Sequence, residues 1–183
     1  MAKQEQEDEQ KLYESMKKQY EAELAAAEAE GLTADEAVKK TLESIGLSGG
    51  FTWPLPGYTY INSQYGMRVH PITGENKLHN GTDISGSDVN GKPIVAAYDG
   101  TVILAEYYYG YGNCVQISHG TGVVTYYAHM SAFAVKVGDV VKAGQTVGYV
   151  GSTGNSTGPH LHFTLYVGGT TVNPLDYLTI PTY

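Results

Sequence analysis

Hydrophobic residues follow a helical spacing at the start of the chain. Between residues 5 and 30 the apolar side chains recur every three or four positions among Glu, Gln, Lys and Ala, which is the spacing of one apolar face on an α-helix. They are Tyr13, Met16, Tyr20, Leu24 and Ala27. Gly31 is expected to end this helix, because glycine is the usual residue just beyond a helix C-terminus.

A second helix is predicted directly after Gly31. Residues 33–36 read Thr-Ala-Asp-Glu, the form of a capping box at a helix N-terminus. Ala34, Val38, Leu42 and Ile45 form a second apolar stripe, and Gly46 suits a C-terminal cap. The two helices would make a hairpin or the end of a coiled coil. The stripe is too short to decide between docking on the rest of the chain and pairing with another chain.

The pattern changes at residue 48. Beyond it the chain consists of short runs of Val, Ile, Thr and Tyr punctuated by Gly, which is typical of a compact all-β domain. Strands are predicted at residues 115–117, 123–127, 135–137, 146–150 and 162–167, with residues 172–178 closing the domain. We therefore predict a mainly β fold, with a helical segment at 1–48 and a compact antiparallel β-sheet domain at 49–183.

Charge is concentrated in the helical segment. Residues 1–48 hold 12 of the 19 acidic and 6 of the 11 basic residues, so most of the net charge of -8 lies there. The β part is close to neutral, which argues against a nucleic-acid binder with a basic surface. The chain has no run of eighteen apolar residues and no apolar signal segment at its start. Cys114 is the single cysteine and is expected to be a core residue.

Histidine occurs in two clusters far apart in the β part. Residues 79–83 read His-Asn-Gly-Thr-Asp, and residues 158–163 read Gly-Pro-His-Leu-His-Phe. Catalytic zinc is usually held by three protein ligands of nitrogen and oxygen type, with a fourth position left to water. His79, Asp83 and one of the two later histidines supply that set. The remaining histidine is then available for acid–base chemistry.

The spacing within each cluster carries a structural expectation. Residues four apart in an extended strand lie roughly 13 Å from each other, so the first cluster must bend to share one ion, and Gly81 permits a bend. His160 and His162 are two apart, so in a strand they project from the same face. Both imidazoles can therefore reach one cavity.

Several motifs together resemble the M23 peptidases, the lysostaphin-like and LytM-type zinc endopeptidases of bacterial peptidoglycan. The similarity extends from residue 53 to residue 178, with matching motifs in the same order. Those motifs are residues 53–56, 65–74, 79–83, 127–130 and 153–163. The resemblance implies the LytM or lysostaphin type of β fold, which is related to hammerhead-like β folds.

The resemblance also implies a role for each of five residues. His79, Asp83 and His162 match the zinc ligands of the family, and His129 and His160 match its two catalytic histidines. Zinc lowers the pKa of a bound water and polarises the scissile carbonyl, while a nearby histidine carries the proton. Which histidine is the general base stays open. The implied substrate is a cross-link or stem peptide of peptidoglycan.

A second function stays open beside hydrolysis. Some relatives use this fold as a docking protein or as an activator of a cell-wall amidase, and the helical segment resembles the EnvC-like coiled coil that precedes the domain in such activators. Those proteins usually lack metal ligands or catalytic histidines, whereas all five positions are filled here. The resemblance implies an extracellular or cell-wall location, with this chain a fragment of an exported protein. The helices are expected to self-associate or to dock within the chain.

Other residues in these motifs receive weaker expectations. His70 and His119 match no ligand or catalytic position and are expected to be structural. Arg68 is either structural or a contact for a substrate carboxylate. Residues 106–113, rich in Tyr and Gly, would wall a cleft for an extended peptide. Thr164 stands where relatives commonly have an acidic residue, which would change the charge beside His162.

The kind of peptide that is cut is predicted from residues 68–76, which precede the first candidate ligand. Relatives that cut polyglycine carry a Tyr-rich motif before the first ligand, and residues 72–76, Ile-Thr-Gly-Glu-Asn, occupy that stretch here. Residues 68–74 look more like those of D,D- or D,L-endopeptidases that cut cross-linked stem peptides.

Overall fold

The computed structural model describes residues 33–47, 49–69 and 76–182, together with the single residues 25, 29 and 31. The first predicted helix lies almost wholly outside the described residues, apart from Ala25 and Ala29, which are helical. Within the part of the chain that the structure describes, no helix is long and apolar enough to cross a membrane.

The second predicted helix is confirmed as α1 (Ala34–Ser44). The Thr33 side chain accepts a hydrogen bond from the Glu36 backbone, and the Glu36 carboxylate accepts one from the Thr33 backbone, so the capping box is present. At the other end Gly46 N–H bonds Glu43 C=O and Leu47 N–H bonds Leu42 C=O. This pair of bonds is a Schellman motif, made possible by a φ of 79° at Gly46.

Helix α1 docks on the β part of the same chain. Val38 and Leu42 are buried in the cluster of apolar residues that also contains Phe51 and Leu178. Val38, Leu42 and Ile45 of the predicted apolar stripe therefore face the β domain. Full burial of a Val or Leu side chain contributes roughly 1.5–3 kcal/mol, so the docking is a substantial part of the helix's stability.

The described residues form fourteen strands and two short 3₁₀ helices. The strands are β1 (Phe51–Thr52), β2 (Tyr60–Ser63), β3 (Gly66–Val69), β4 (Asn76–His79), β5 (Thr82–Ser85), β6 (Pro93–Val95), β7 (Gly100–Tyr107), β8 (Asn113–Gly120), β9 (Val123–Phe133), β10 (Val140–Val141), β11 (Thr146–Val150), β12 (Leu161–Val167), β13 (Thr170–Val172) and β14 (Leu178–Thr179). The 3₁₀ helices are Tyr109–Tyr111 and Pro174–Asp176.

Most strands belong to one large antiparallel sheet. Its main order is β10-β7-β8-β9-β12-β5-β2, with β11 pairing β9 and β6, and β13 pairing β12. Strands β3 and β4 form a separate antiparallel hairpin, and β1 pairs β14 in parallel at the end of the chain. The prediction of a mainly β, antiparallel domain preceded by a helical segment is confirmed.

The central strands β9 and β12 divide their side chains between two layers. In β12 the odd positions, beginning with Leu161 and Phe163, lie in the main core, whereas Tyr166 packs in a smaller cluster on the other face. Side chains alternate along a strand, so His162 lies on the face of Tyr166. The main core supports one side of the sheet, and the histidines stand on the other.

One predicted strand differs from the structure, and the closing segment of the domain is divided into three short elements. Residues 135–137 alternate like a strand but lie between β9 and β10, because the Asp139 carboxylate accepts a hydrogen bond from the Lys136 N–H and Asp139 N–H bonds Lys136 C=O, which closes a turn. Residues 172–178 are split between the end of β13, a 3₁₀ helix that begins at Pro174, and the start of β14. Pro174 lacks the N–H that a continuous strand needs.

Candidate metal centre and active-site cleft

Neighbouring strands place two of the predicted ligands side by side. His162 in β12 is the register partner of Asp83 in β5 and, on its other side, of Ala128 in β9. Directly opposite residues in an antiparallel pair share a face and lie about 5 Å apart. The sheet therefore holds the carboxylate and the imidazole together, although 78 residues separate them in the sequence.

His79 reaches the same point from a different sheet. It ends strand β4 of the hairpin, and the chain turns through Asn80 and Gly81 before β5 begins, so the predicted bend is present. The reason for glycine differs from the expected one. A Cβ at Gly81 would lie 2.5 Å from Phe163 O and 2.8 Å from His162 Cε1, so glycine is required by the close approach of β12.

The three ligand atoms form a tight triangle. His162 Nδ1 is 2.8 Å from Asp83 Oδ1, His79 Nε2 is 3.2 Å from the same oxygen, and the two nitrogens are 3.1 Å apart. Ligands on a tetrahedral ion with bonds of about 2.0–2.1 Å lie about 3.3 Å from each other. All three side chains are buried. Their geometry fits a small divalent cation.

Hydrogen bonds fix the orientation of both histidines of the triangle. His79 Nδ1 is 2.7 Å from Gln64 C=O, and because a carbonyl only accepts, Nδ1 carries the proton and Nε2 presents a lone pair to the triangle. His162 Nε2 is 3.0 Å from the Thr164 hydroxyl. Such partners are common behind metal-binding histidines. The Thr164 hydroxyl thus contacts His162 directly.

The protonation states also suit a metal. Burial would raise the pKa of Asp83, but the contacts of its carboxylate with His162 and His79, together with the nearby His160, lower it well below its usual value. Burial lowers the pKa of His162, against the opposing effect of Asp83. A carboxylate and neutral imidazoles are the forms that bind metal ions, so the cluster needs little rearrangement to accept one.

A β-bulge aims His129 at the cleft. Between the pairs Val115–Tyr127 and Asn113–Met130, β9 advances by three residues while β8 advances by two. His129 has a φ of 60°, an uncommon conformation for a residue other than glycine that costs about 1 kcal/mol or more. Tyr127 and Met130 both lie in the main core, so the extra residue turns His129 away from the core. Bulges beside active sites commonly redirect a side chain in this way.

His129 and His160 are held alike, each by one ring nitrogen. His129 Nδ1 donates to Thr153 C=O at 2.8 Å, and His160 Nδ1 donates to Gly158 C=O at 2.8 Å. Their ring centres are 4.6 Å apart. Burial, together with the nearby His160, lowers the pKa of His129 to about 4. His129 is therefore neutral at pH 7, with the Nε2 lone pair available.

The five predicted residues line one cavity of about 580 Å³. Its wall includes Tyr108, Tyr109 and Tyr111, as predicted for residues 106–113. Asn80, next to the ligand His79, donates a hydrogen bond to the Tyr111 hydroxyl at 2.5 Å. The aromatic wall is therefore joined to the segment that carries the ligand.

Thr153 is a residue whose role the sequence did not indicate. Its carbonyl orients His129, and its hydroxyl accepts from Asn113 N–H and donates to Met130 C=O. Gly112 and Gly154 make this arrangement possible, since a Cβ at either would lie within 2.4 Å of the other segment's backbone. A pair of glycines in separate loops gives no local signal of such a contact.

His119 has the structural role that was predicted. Its Nδ1 lies 2.8 Å from Asp99 C=O and its Nε2 lies 2.8 Å from the Thr125 hydroxyl, which in turn bonds Tyr127. It does not line the cavity that holds the other histidines. His70 and the stretch at 72–75 lie outside the described residues.

The fold and the cluster define a class: an antiparallel β domain that carries a buried His-Asp-His group suited to a metal ion, with two further histidines beside it. A model of peptidase family M23 matches residues 77–174, more than half of the chain. The chain therefore belongs to peptidase family M23, a family of metallopeptidases, and the resemblance noted in the sequence is confirmed. Family membership indicates a metal at the cluster.

Three comparisons place the chain within that family. It is 44% identical over 134 residues to the DD-carboxypeptidase/endopeptidase Mpg of Neisseria meningitidis, covering 73% of this chain and 30% of that protein. A zinc-containing peptidase from Vibrio cholerae has a TM-score of 0.63 at 36% identity, over 69% of this chain and 39% of that one. The catalytic domain of lysostaphin from Staphylococcus simulans has a TM-score of 0.58 at 36% identity, over 64% and 90%.

The chain thus spans less than a third of the length of the Neisseria relative. It covers most of the lysostaphin catalytic domain.

Proposed function

We propose that this chain is a zinc-dependent endopeptidase that cuts the peptides of bacterial peptidoglycan. His79, Asp83 and His162 would hold the zinc, and His129 and His160 would be the catalytic histidines. The observation that carries the proposal is the ligand triangle, with sides of 2.8, 3.1 and 3.2 Å, set beside two more imidazoles in one cleft. A zinc ion at such a site acidifies water and polarises a carbonyl.

The two catalytic histidines supply proton transfer. Both have the Nδ1 proton engaged by a backbone carbonyl, so Nε2 is the atom that works. A neutral imidazole accepts a proton from the attacking water at Nε2 and returns it to the leaving amine. The second imidazole stabilises the developing oxyanion in its imidazolium form, because only then does its Nε2 carry a proton to donate. The lowered pKa of His129 keeps it in the accepting form.

The cleft supports an extended peptide as substrate. Tyr108, Tyr109 and Tyr111 offer flat apolar faces with polar tips along one wall, which suits a backbone with small side chains. The Neisseria relative is named a DD-carboxypeptidase/endopeptidase, which favours a D-alanyl bond in a stem peptide or cross-link over polyglycine. All five chemical positions are filled, which argues against a purely non-hydrolytic docking or amidase-activating role.

We also propose that residues 49–183 form the catalytic unit and residues 1–48 a helical segment that tethers or regulates it. The packing of α1 against the β part supports docking within the chain for the second helix. A peptidoglycan substrate implies that the protein works outside the cytoplasm, at the cell wall.

Digestion of purified peptidoglycan tests the proposal. The zinc-loaded chain is expected to release peptides whose masses identify one D-alanyl bond, and a chelator should stop the release. His162→Ala is the matched control, because it removes a ligand and leaves the cleft wall in place. A chain that binds zinc, releases no peptide and instead stimulates a cell-wall amidase would favour the docking role.

A further inference from the structure

Two cations stand side by side on the hairpin that carries His79. Arg68 in β3 and Lys77 in β4 are register partners, and both line the cavity. Directly opposite side chains in an antiparallel pair project from one face, with Cβ atoms about 4.5–5.5 Å apart. His79 lies two residues beyond Lys77 and so shares that face. The hairpin therefore presents two positive charges and a ligand imidazole to the same cleft.

The cleft does not balance these charges. Like charges directly opposite each other destabilise an antiparallel pair. Asp83 is the one carboxylate among the described residues that line the cavity. Its Oδ1 is engaged by His162 and His79, and its Oδ2 lies 3.8 Å from Arg68 Nη2, which is beyond hydrogen-bond distance. Among the described residues, the lining of the cavity thus holds two cationic side chains and one carboxylate.

Donors on both cations remain available. The Arg68 Nε is buried with no hydrogen-bond partner among the described residues, while 29% of the side chain is exposed. No ion pair joins Lys77 to another residue that the structure describes, whereas Lys92, Lys136 and Lys142 each pair with an aspartate. Arg68 and Lys77 are therefore the cations that an incoming anion would meet.

We propose that Arg68 and Lys77 form a subsite for a carboxylate on the substrate residue that supplies the leaving amine. This inference rests on the proposed function and adds a requirement for that carboxylate. Guanidinium binds a carboxylate through two parallel hydrogen bonds, and the ammonium of Lys77 adds a point charge.

The position of the subsite selects the carboxylate. Arg68 approaches Asp83, which itself belongs to the ligand triangle, so an anion on Arg68 lies close to the scissile bond. A carboxylate on the carbon attached to the scissile nitrogen lies close enough to that bond to reach Arg68. Any carboxylate one residue further along is displaced by up to about 3.8 Å more.

Two kinds of peptide carry such a carboxylate. One is a D-alanyl-D-alanine terminus, where the carboxylate is the end of the chain. The other is a cross-link in which D-alanine acylates a side-chain amine of a diamino diacid, and the carboxylate beside that amine is free. Their shared chemistry is an anionic group one carbon from the scissile nitrogen.

Calorimetric binding to the full zinc-loaded chain tests the subsite. His129→Ala is used as the background so that the probes stay intact. The probes are acetyl-D-alanyl-D-alanine and an acetyl-D-alanyl derivative of diaminopimelic acid, each compared with the form in which that carboxylate is a carboxamide. Hydrogen bonds to charged groups contribute about 1.5–3 kcal/mol, so a carboxylate is expected to bind about 10–100-fold more tightly than its carboxamide.

The variants separate recognition from support of the fold. Arg68→Gln and Lys77→Gln should each reduce the preference for the carboxylate, and the double variant should abolish it, while affinity for the carboxamide changes by less than about threefold. Lys136→Gln makes the same change of charge outside the cleft and should leave the preference intact. Lys77 is exposed, so its replacement tests the subsite without disturbing buried structure.

The binding measurements support or overturn the carboxylate subsite as follows. A preference seen with one probe and not the other supports the subsite and identifies the source of the carboxylate. No measurable preference in the background chain overturns the inference, as does a loss in Arg68→Gln that is equal for both forms. Failure of the proposed function is recognised separately: the preference is present, yet the chain without His129→Ala hydrolyses neither peptidoglycan nor the probes.

Discussion

Histidines that are at least partly buried occur in two regions of the β domain, and they differ in how many ring nitrogens the protein engages. His119 uses both nitrogens, one on Asp99 C=O and one on the Thr125 hydroxyl. His129 and His160 each engage Nδ1 alone, on a backbone carbonyl, and turn Nε2 toward the cleft. Burial lowers the pKa of both His119 and His129 to about 4. A lowered pKa is therefore common to both regions, whereas an available nitrogen facing a cavity distinguishes the two histidines proposed to be catalytic.

The strongest test of that distinction removes a ligand. His162→Ala takes one corner from the triangle, so we expect the chain to lose its zinc and at least about 10³-fold in rate, since catalysis depends on the metal. Metal content by mass spectrometry and the rate of peptide release are measured on one preparation. His119→Gln is the matched control and should keep both. Zinc retained at one per chain in His162→Ala would contradict the ligand assignment.

The next test removes an available nitrogen without touching the metal. His129→Ala is expected to keep zinc and to lose about 10²–10⁴-fold in rate, the usual contribution of a proton carrier. His129→Asn is the companion variant, because asparagine tolerates the left-handed backbone at this position and lacks the basic nitrogen. Comparable losses in both variants identify proton transfer as the cause. Full activity in His129→Asn would remove His129 from the mechanism.

The third test concerns pH and His119. Folding keeps His119 neutral down to about pH 4, whereas an unfolded histidine binds a proton near pH 6.5. Unfolding therefore takes up a proton between these values, and the stability that His119 contributes is present above pH 6.5 and lost as the pH falls toward 4. The loss is about 2–3 kcal/mol.

Urea unfolding at a series of pH values measures this contribution. His119→Gln should show a shallower fall in the free energy of unfolding between pH 6.5 and 4 than the parent chain. It should also keep its activity within about threefold at pH 7.5, because the residue lies outside the cleft. Parallel curves for the two chains would show that His119 is not the group responsible.

The smallest effect is expected from a substitution at Thr164, which contacts the proposed ligand His162. Thr164→Val removes the hydroxyl that contacts His162 Nε2 at 3.0 Å with little change in shape. Partners of this kind typically contribute 10–100-fold in metal affinity, and for a neutral hydroxyl we expect about tenfold. Competition with a zinc-binding dye measures the change. An unaltered affinity would mean that the hydroxyl does not influence the metal.

The sequence indicated which residues meet in the cleft better than it indicated what holds them there. The five candidate residues stand in compact motifs, and the structure places them around one cavity, as strand periodicity together with the family resemblance predicted. The bulge at His129 was not predictable, because an extra residue in β9 is defined only by its pairing with β8. The sequence also does not show that Arg68 and Lys77 lie opposite each other, because that depends on the register in which β3 pairs with β4.

Local sequence patterns gave a wrong prediction where a side chain takes the hydrogen bond that a neighbouring strand would otherwise make. Residues 135–137 have the alternation of a strand, yet the Asp139 carboxylate accepts the Lys136 N–H that a neighbouring strand would need. The reason for Gly81 was also misjudged, since contact with β12 rather than flexibility requires it. Both errors come from tertiary contacts that a local reading of the chain does not contain.

The account's central claim is that zinc at the His79–Asp83–His162 triangle is required for cleavage. It is tested most directly by titrating a chelator into one preparation while following zinc content and peptide release together. We predict that activity falls in proportion to the zinc removed from a single site per chain and returns when zinc is restored. Cleavage of peptidoglycan by the metal-free chain would contradict the account.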